Sequence, residues 1–252
     1  MELLSLFPRT ILKGRLDPQL LLQLQSTARS VRDDPRSTPD ASTRLAGQLT
    51  LQRQLGPDFA GIDALCSGTL LPACERWIRH VIDQQPPQGR GPWTPGRYGL
   101  QMIDIWLNVQ QAGDYNPTHT HGGSFSGVVF LQVPPQIRAD SFDGQLCFHG
   151  PEDWHIQSFR TGMAHYVLPR AGDYYVFPAW QPHSVPPFRG EGERWSIAFN
   201  VVAVPAAGRL AGPAPLQVSE GRAAAPSWTP STPQPAANVS LSNARPRPGG
   251  FG

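Results

Sequence analysis

Lysine is almost missing from this chain: Lys13 is the single lysine among 21 basic residues in 252. A bias in base composition accounts for that as readily as function does. Cysteine is scarce as well. Cys66, Cys74 and Cys147 are too few and wrongly spaced for a zinc knuckle or a disulfide framework, which points to a reduced, cytoplasmic setting. The net charge is only +2 and no basic cluster stands out, so the electrostatic footprint of a nucleic-acid binder is lacking. No apolar run approaches a membrane span. The short apolar stretch at Leu3–Phe7 follows an acidic residue, Glu2, and is cut by Pro8 and Arg9, which is unlike a signal peptide.

Proline and glycine are plentiful instead, 28 and 25 residues against an apolar fraction of 39%, which implies a loop-rich core and a segment that does not fold. Three zones differ in texture. Residues 1–97 read as an N-terminal helical support region. One helix begins near Asp17 as N-cap with Pro18 at N1, and a second runs from about Ala73 to Gln85, where Trp77, Ile78, Val81 and Ile82 recur at helical spacing. Arg32 to Ser42, broken by Pro35 and Pro39, reads as a loop. Residues 98–204 are strand-like: Met102–Val109, Phe125–Val133, Gly144–Phe148, Tyr174–Phe177 and Trp195–Val204 are short apolar or aromatic runs between turn residues. That pattern predicts a mainly β jelly roll, with the helices packed on one sheet. Residues 205–252 are Pro- and Ala-rich with few large apolar side chains. They offer too little to bury against an ordering entropy of roughly 1–2 kcal/mol per residue, which predicts a disordered tail.

The histidines are concentrated. Of seven, His119, His121, His149, His155 and His165 fall between residues 119 and 165, and His183 follows. His119-Thr120-His121 lies just before an apolar strand, and on an extended chain residues two apart share a face, so both imidazoles can converge on one ion. His183 sits in the proline-stiffened turn Phe177–Val185. Imidazole suits Fe(II), Zn, Cu and Ni alike, so these residues alone do not choose the metal. Arg194 lies eleven residues later (194 − 183), and Ser196 is on the same face of that strand. A guanidinium fork pairs bidentately with a carboxylate, and a hydroxyl two residues on adds a third hydrogen bond. Trp195, Ile197 and Phe199 alternate with this pair, which would turn Arg194 and Ser196 inward if the apolar set packs under the helices.

The string His119-Thr-His121…His183…Arg194-Trp-Ser196 resembles the motif of the 2-oxoglutarate- and Fe(II)-dependent oxygenases. It is most similar to a bacterial and phage family of that group. Further matching features are Ile105-Trp-Leu-Asn108, Gly113, Asn116, Ser126-Gly-Val128, Gly144–Phe148, Gly172-Asp173, Phe177-Pro178 and Arg194–Asn200. The resemblance covers roughly residues 98–204. It implies a double-stranded β-helix, an iron held by His119, His121 and His183, and 2-oxoglutarate held by Arg194 and Ser196. Asn108 is a further co-substrate candidate by its spacing from His119. The implied reaction hydroxylates an unidentified substrate (a small molecule or a protein side chain) with O2, releasing succinate and CO2.

One position departs from the motif. The third ligand is ordinarily a carboxylate, and His121 stands there, so three neutral imidazoles would leave Fe(II) at +2 until the 2-oxoglutarate dianion neutralises it. Three alternatives stay open. In one, His121 is the first ligand and Gly123 the vacant third position, as in halogenases. A three-histidine cupin-type dioxygenase would use no 2-oxoglutarate. A jelly-roll binding module would have no catalysis at all. The plainer expectation for His149, His155 and His165 is a place in loops or on strand exteriors, and for Tyr174 and Tyr175 a place in the core.

Overall fold

The computed structural model of the chain describes residues 9–44, 47–85, 96–150 and 164–205. The chain divides after Leu210, and everything described belongs to the first unit. The expected tail beyond Pro205 and the loop segment 151–163, with Trp154 and His155, lie outside the described residues.

Helix α1, Pro18–Asp33, starts where the sequence predicts: the Asp17 carboxylate accepts hydrogen bonds from the amides of Gln19 (2.8 Å) and Leu20 (3.2 Å), and Pro18 occupies the first turn. Leu24, Thr27, Ala28 and Val31 recur at steps of three and four and form its buried stripe. Helix α2, Ile62–Leu65, passes through a π turn at Cys66–Leu70 into α3, Leu71–Asp83. Trp77 of α3 donates its indole N–H to the Thr10 carbonyl (2.9 Å) and meets Phe125 edge-on at 5.1 Å. No helix among the described residues is long and apolar enough to cross a membrane.

Ten strands follow in chain order: β1 Leu12–Arg15, β2 Leu51–Gln54, β3 Tyr98–Gln110, β4 Asn116–His119, β5 Phe125–Gln132, β6 Leu146–His149, β7 Ala164–Val167, β8 Asp173–Pro178, β9 His183–Val185 and β10 Arg194–Pro205. The six-stranded sheet has the order β1-β8-β5-β10-β3-β2 and the four-stranded sheet β4-β9-β6-β7, antiparallel throughout. From β3 to β10 the chain passes back and forth between two facing sheets, with only β6 and β7 consecutive in one of them, which is the winding of a double-stranded β-helix. The five predicted strands all form, as β3, β5, β6, β8 and β10. Two strands, β1 and β2, arise in the N-terminal region read as helical; they are four-residue edge strands, too short to show alternation.

Two apolar clusters divide the interior. Trp195, Ile197, Phe199 and Val201 of β10 pack with Leu24, Ala28 and Val31 of α1 and Ile78 of α3, so the helices cover the outer face of the large sheet. Val128, Phe130, Tyr175 and Phe177 of the large sheet meet Leu146, Phe148 and Val185 of the small one, filling the space between the sheets. The alternate residues of β10, among them Arg194 and Ser196, therefore face this inner space.

Candidate metal and co-substrate site

β4 and β9 meet at one end of the small sheet, where His119 and His183 are register partners. The chain then leaves β4, and His121 lies in the following turn, fixed by its amide donating to the Ala179 carbonyl (2.9 Å). Gly123 in the same turn has φ +93°, and a Cβ there would stand 3.0 Å from the Val201 carbonyl oxygen, so glycine is required. The three rings converge: His119 is 4.8 Å from His121 and 4.3 Å from His183, and His121 is 5.1 Å from His183, between centroids. Their ligating atoms all lie within 4.8 Å of one another, and Nε2 of His121 is 3.2 Å from Nε2 of His183.

Hydrogen bonds fix which nitrogen is free. Nδ1 of His119 donates to the Pro117 carbonyl (2.7 Å), and Nδ1 of His183 donates to the Gln181 carbonyl (2.9 Å). Both rings are thereby held as the tautomer whose Nε2 carries a lone pair. Phe177 packs edge-on against His183 at 4.8 Å, and Trp106 lies 6.2 Å from His121, giving the cluster an apolar wall. Burial pushes the His183 imidazolium down to about 3 and His121 to about 4, with the neighbouring imidazoles adding to the effect. Burial lowers His119 too, against the opposing hydrogen bond to Pro117. All three stay neutral near pH 7, the state in which imidazole binds a metal.

Arg194 is 2% exposed and faces inward from the first position of β10. Its Nη1 donates to Oε1 of Gln110, its register partner on β3, and its guanidinium carbon lies 5.0 Å from the centre of the Phe130 ring. Nε and Nη2 have no partner among the described residues. These two N–H groups point the same way from the guanidinium, the edge that meets a carboxylate side-on. Burial pulls Arg194 down to about 10, so it remains a cation at neutral pH. No carboxylate pairs with it among the described residues. A buried, unpaired charge costs several kcal/mol, far more than a contact with one aromatic ring returns. Arg194 is thus built to receive an anion.

Ser196, 2% exposed, is the next inward residue of β10, and its register partner on β3 is Asn108. The Asn108 amide lies 2.9 Å from the Gln52 amide of β2, so part of its hydrogen-bonding capacity is already used. Along the inner face, Gln110–Arg194, Asn108–Ser196 and Trp106–Ala198 form successive rows, and Trp106 is the one beside His121. His119 and His183 stand on the small sheet, with His121 near the Trp106 level, and Arg194 lies two rows along from Trp106 on the inner face of the large sheet. Sequence reasoning missed Gln110. It follows Asn108 by two residues, so strand alternation was the available signal.

His149 and His165 are not part of this cluster. His149 bonds Ser184 (Nε2 to Oγ, 2.8 Å) on the opposite face of β6 from Phe148, and His165 is exposed on β7. Tyr175 is a core residue between the sheets, as expected, whereas Tyr174 packs against the cluster under the helices.

The donor set fits a divalent iron: three neutral imidazoles with converging Nε2 atoms, in an apolar surround, above an unpaired buried cation that fits the far carboxylate of a chelating dicarboxylate. Residues 104–200 match the model of a family described as "Putative 2OG-Fe(II) oxygenase". That stretch is what the chain shares with this family. The match runs from Asp104 to Asn200, which are themselves register partners, and spans every predicted metal and co-substrate residue. Fe(II) and 2-oxoglutarate are the groups named in that family's description, and the three histidines could hold a metal ion.

No curated protein matches the chain. Among solved structures it is similar to a prolyl-4-hydroxylase from Pseudomonas putida (20% identity, 76% of this chain and 92% of that one, TM-score 0.47). It is also similar to a prolyl hydroxylase from Trichoplax adhaerens solved with a hypoxia inducible factor peptide (12%, 78% and 83%, 0.48). A third is HygX from Streptomyces hygroscopicus, with nickel and 2-oxoglutarate bound (12%, 78% and 83%, 0.46).

Proposed function

We propose that this chain is a 2-oxoglutarate- and Fe(II)-dependent dioxygenase that hydroxylates its substrate. It holds its iron on Nε2 of His119, His121 and His183 and binds the distal carboxylate of 2-oxoglutarate with Arg194 and Ser196. The observation that carries this reading is the Arg194 fork: Nε and Nη2 are buried, charged and without a partner among the described residues, two strand rows from Trp106, which lies beside His121. The net reaction converts substrate R–H, 2-oxoglutarate and O2 into R–OH, succinate and CO2.

Bound iron supplies the activation of O2, which no side chain of this chain supplies. The protein orients the reactants. Pro117 and Gln181 hold the His119 and His183 rings through Nδ1, so the metal position does not drift. Phe177 and Trp106 keep water from the cluster. Arg194 and Ser196 set the depth of the dicarboxylate and so the position of its keto-acid end. Asn108 supports that pocket from the neighbouring strand. The substrate is a small molecule or a protein side chain, selected by loops that include 136–143. Three free thiols suit a cytoplasmic setting.

The test is succinate formation with O2 uptake by purified protein reconstituted anaerobically with Fe(II). If millimolar 2-oxoglutarate neither binds nor turns over, the reading fails. The three-imidazole donor set favours one competitor, a cupin-type dioxygenase that needs no 2-oxoglutarate. Arg194→Ala separates the two, because it abolishes 2-oxoglutarate affinity in the first case and spares turnover in the second.

A further inference from the structure

The arrangement around Arg194 includes a residue to which neither the family motif nor the sequence reading gives a role. Gln110, the last residue of β3, is 2% exposed. Its Oε1 accepts from Nη1 of Arg194, which also fixes the orientation of the amide, since only the oxygen can accept. Its Nε2 therefore points the other way, and that nitrogen is buried without a partner. Two adjacent side chains thus present three buried donor nitrogens without a partner among the described residues: Nε and Nη2 of Arg194 and Nε2 of Gln110. Ser196, in the next row, adds a hydroxyl.

A carboxylate offers about four lone-pair positions and no donor. A glutamate at position 110 would have the same shape, yet it would neutralise Arg194 and close the pocket with its own charge. The amide keeps the cation free, holds the guanidinium in plane through Oε1, and contributes a donor of its own. We propose that Gln110 is a specificity-determining residue of the co-substrate pocket, one that restricts the pocket to an ionised carboxylate and rejects a neutral carboxamide or ester of the same length. The inference rests on the co-substrate reading above and deepens it.

The experiment is calorimetric titration of 2-oxoglutarate into full-length protein loaded with Mn(II) without oxygen, alongside melting curves and steady-state kinetics. Gln110→Leu should weaken binding by about 10-fold or more, the loss expected for a hydrogen bond to a charged group, with KM for 2-oxoglutarate rising more than kcat falls. Gln110→Glu should weaken it by about 100-fold, yet raise the melting temperature of the ligand-free protein by pairing the buried guanidinium. A purely structural role for Gln110 predicts no such opposition between stability and affinity. In the unaltered protein, the 5-carboxamide of 2-oxoglutarate should bind at least about 100-fold more weakly than the parent, because its NH2 meets only donors.

Binding by Gln110→Leu within twofold of the unaltered protein would overturn the proposal and leave the oxygenase reading standing. If that variant does not fold, equal binding of the carboxamide and the carboxylate overturns it in the same way. Failure of the unaltered, metal-loaded protein to bind 2-oxoglutarate at all would bring down the oxygenase reading, and this inference with it.

Discussion

His119 and His183 face each other across the β4–β9 pair, and each donates its Nδ1 proton to the carbonyl two residues before it, Pro117 and Gln181 respectively. The Pro117 carbonyl is placed by β4 itself, and that of Gln181 by the turn between β8 and β9. Two imidazoles on different strands are thus aimed by the same local device, and the third, His121, is brought in by the turn that follows.

Removing either aimed imidazole should release the metal. His183→Ala or His119→Ala is expected to purify with well under one equivalent of iron after anaerobic reconstitution. His121→Asp supplies a carboxylate at the position where the family motif carries one, and it should retain stoichiometric metal. Metal analysis of the folded variants decides this. Full iron in His183→Ala would remove that residue from the ligand set.

The unpaired charge at Arg194 predicts opposite effects on stability and binding. Arg194→Met deletes a buried cation without a partner and fills the space with apolar volume, so the ligand-free protein should be unchanged or more stable by about 1–4 kcal/mol. The same variant should lose measurable 2-oxoglutarate binding. Denaturant midpoints and calorimetry together test the pair. A large destabilisation would mean that Arg194 has a structural partner.

In the unaltered protein, 2-oxoglutarate should raise the melting temperature. At about 100 times its dissociation constant, the added stability is roughly 2.7 kcal/mol. Succinate, which keeps one carboxylate for Arg194 but lacks the keto group, should give a smaller shift. Equal shifts would show that the metal end of the ligand contributes nothing.

Stability of the metal-free protein should fall on acidification. The folded values of His183 (about 3) and His121 (about 4) lie below the unfolded imidazole value of about 6.5. Between those limits the unfolded chain binds protons that the folded one refuses, so the loss begins near pH 6.5 and grows as pH falls toward 4. Above pH 6.5 these groups contribute no slope. Melting temperatures across this range check it, and His183→Asn should flatten the curve.

Gly127 tests the packing beneath the site. A Cβ at this position would stand 2.3 Å from the Tyr175 carbonyl oxygen and 2.3 Å from the Phe199 ring, and the backbone oxygen cannot move aside without breaking the β5–β8 ladder. Gly127→Ala should therefore cost at least about 1–3 kcal/mol. A neutral result would show that β5 shifts against β8 and β10 more freely than their register suggests.

By itself, the sequence determined the strand-rich core and the N-terminal helix and picked out the candidate site residues, because these depend on short-range signals. Alternation along β10 sorts Arg194 and Ser196 from Trp195 and Ile197, and Asp17-Pro18 starts a helix whatever lies around it. It did not show β1, β2, β4, β7 and β9, each only three or four residues long and made strands by their neighbours rather than by their own composition. Nor could it place Gln110, whose role exists only because β3 and β10 pair in the register that sets it against Arg194. The histidines were the most visible feature of the chain, but the tertiary structure decided that three of them meet while His149 turns to Ser184 on the other face. Convergence of residues 62 and 64 positions apart (183 − 121 and 183 − 119) is a property of sheet register, and no local pattern in the sequence encodes it.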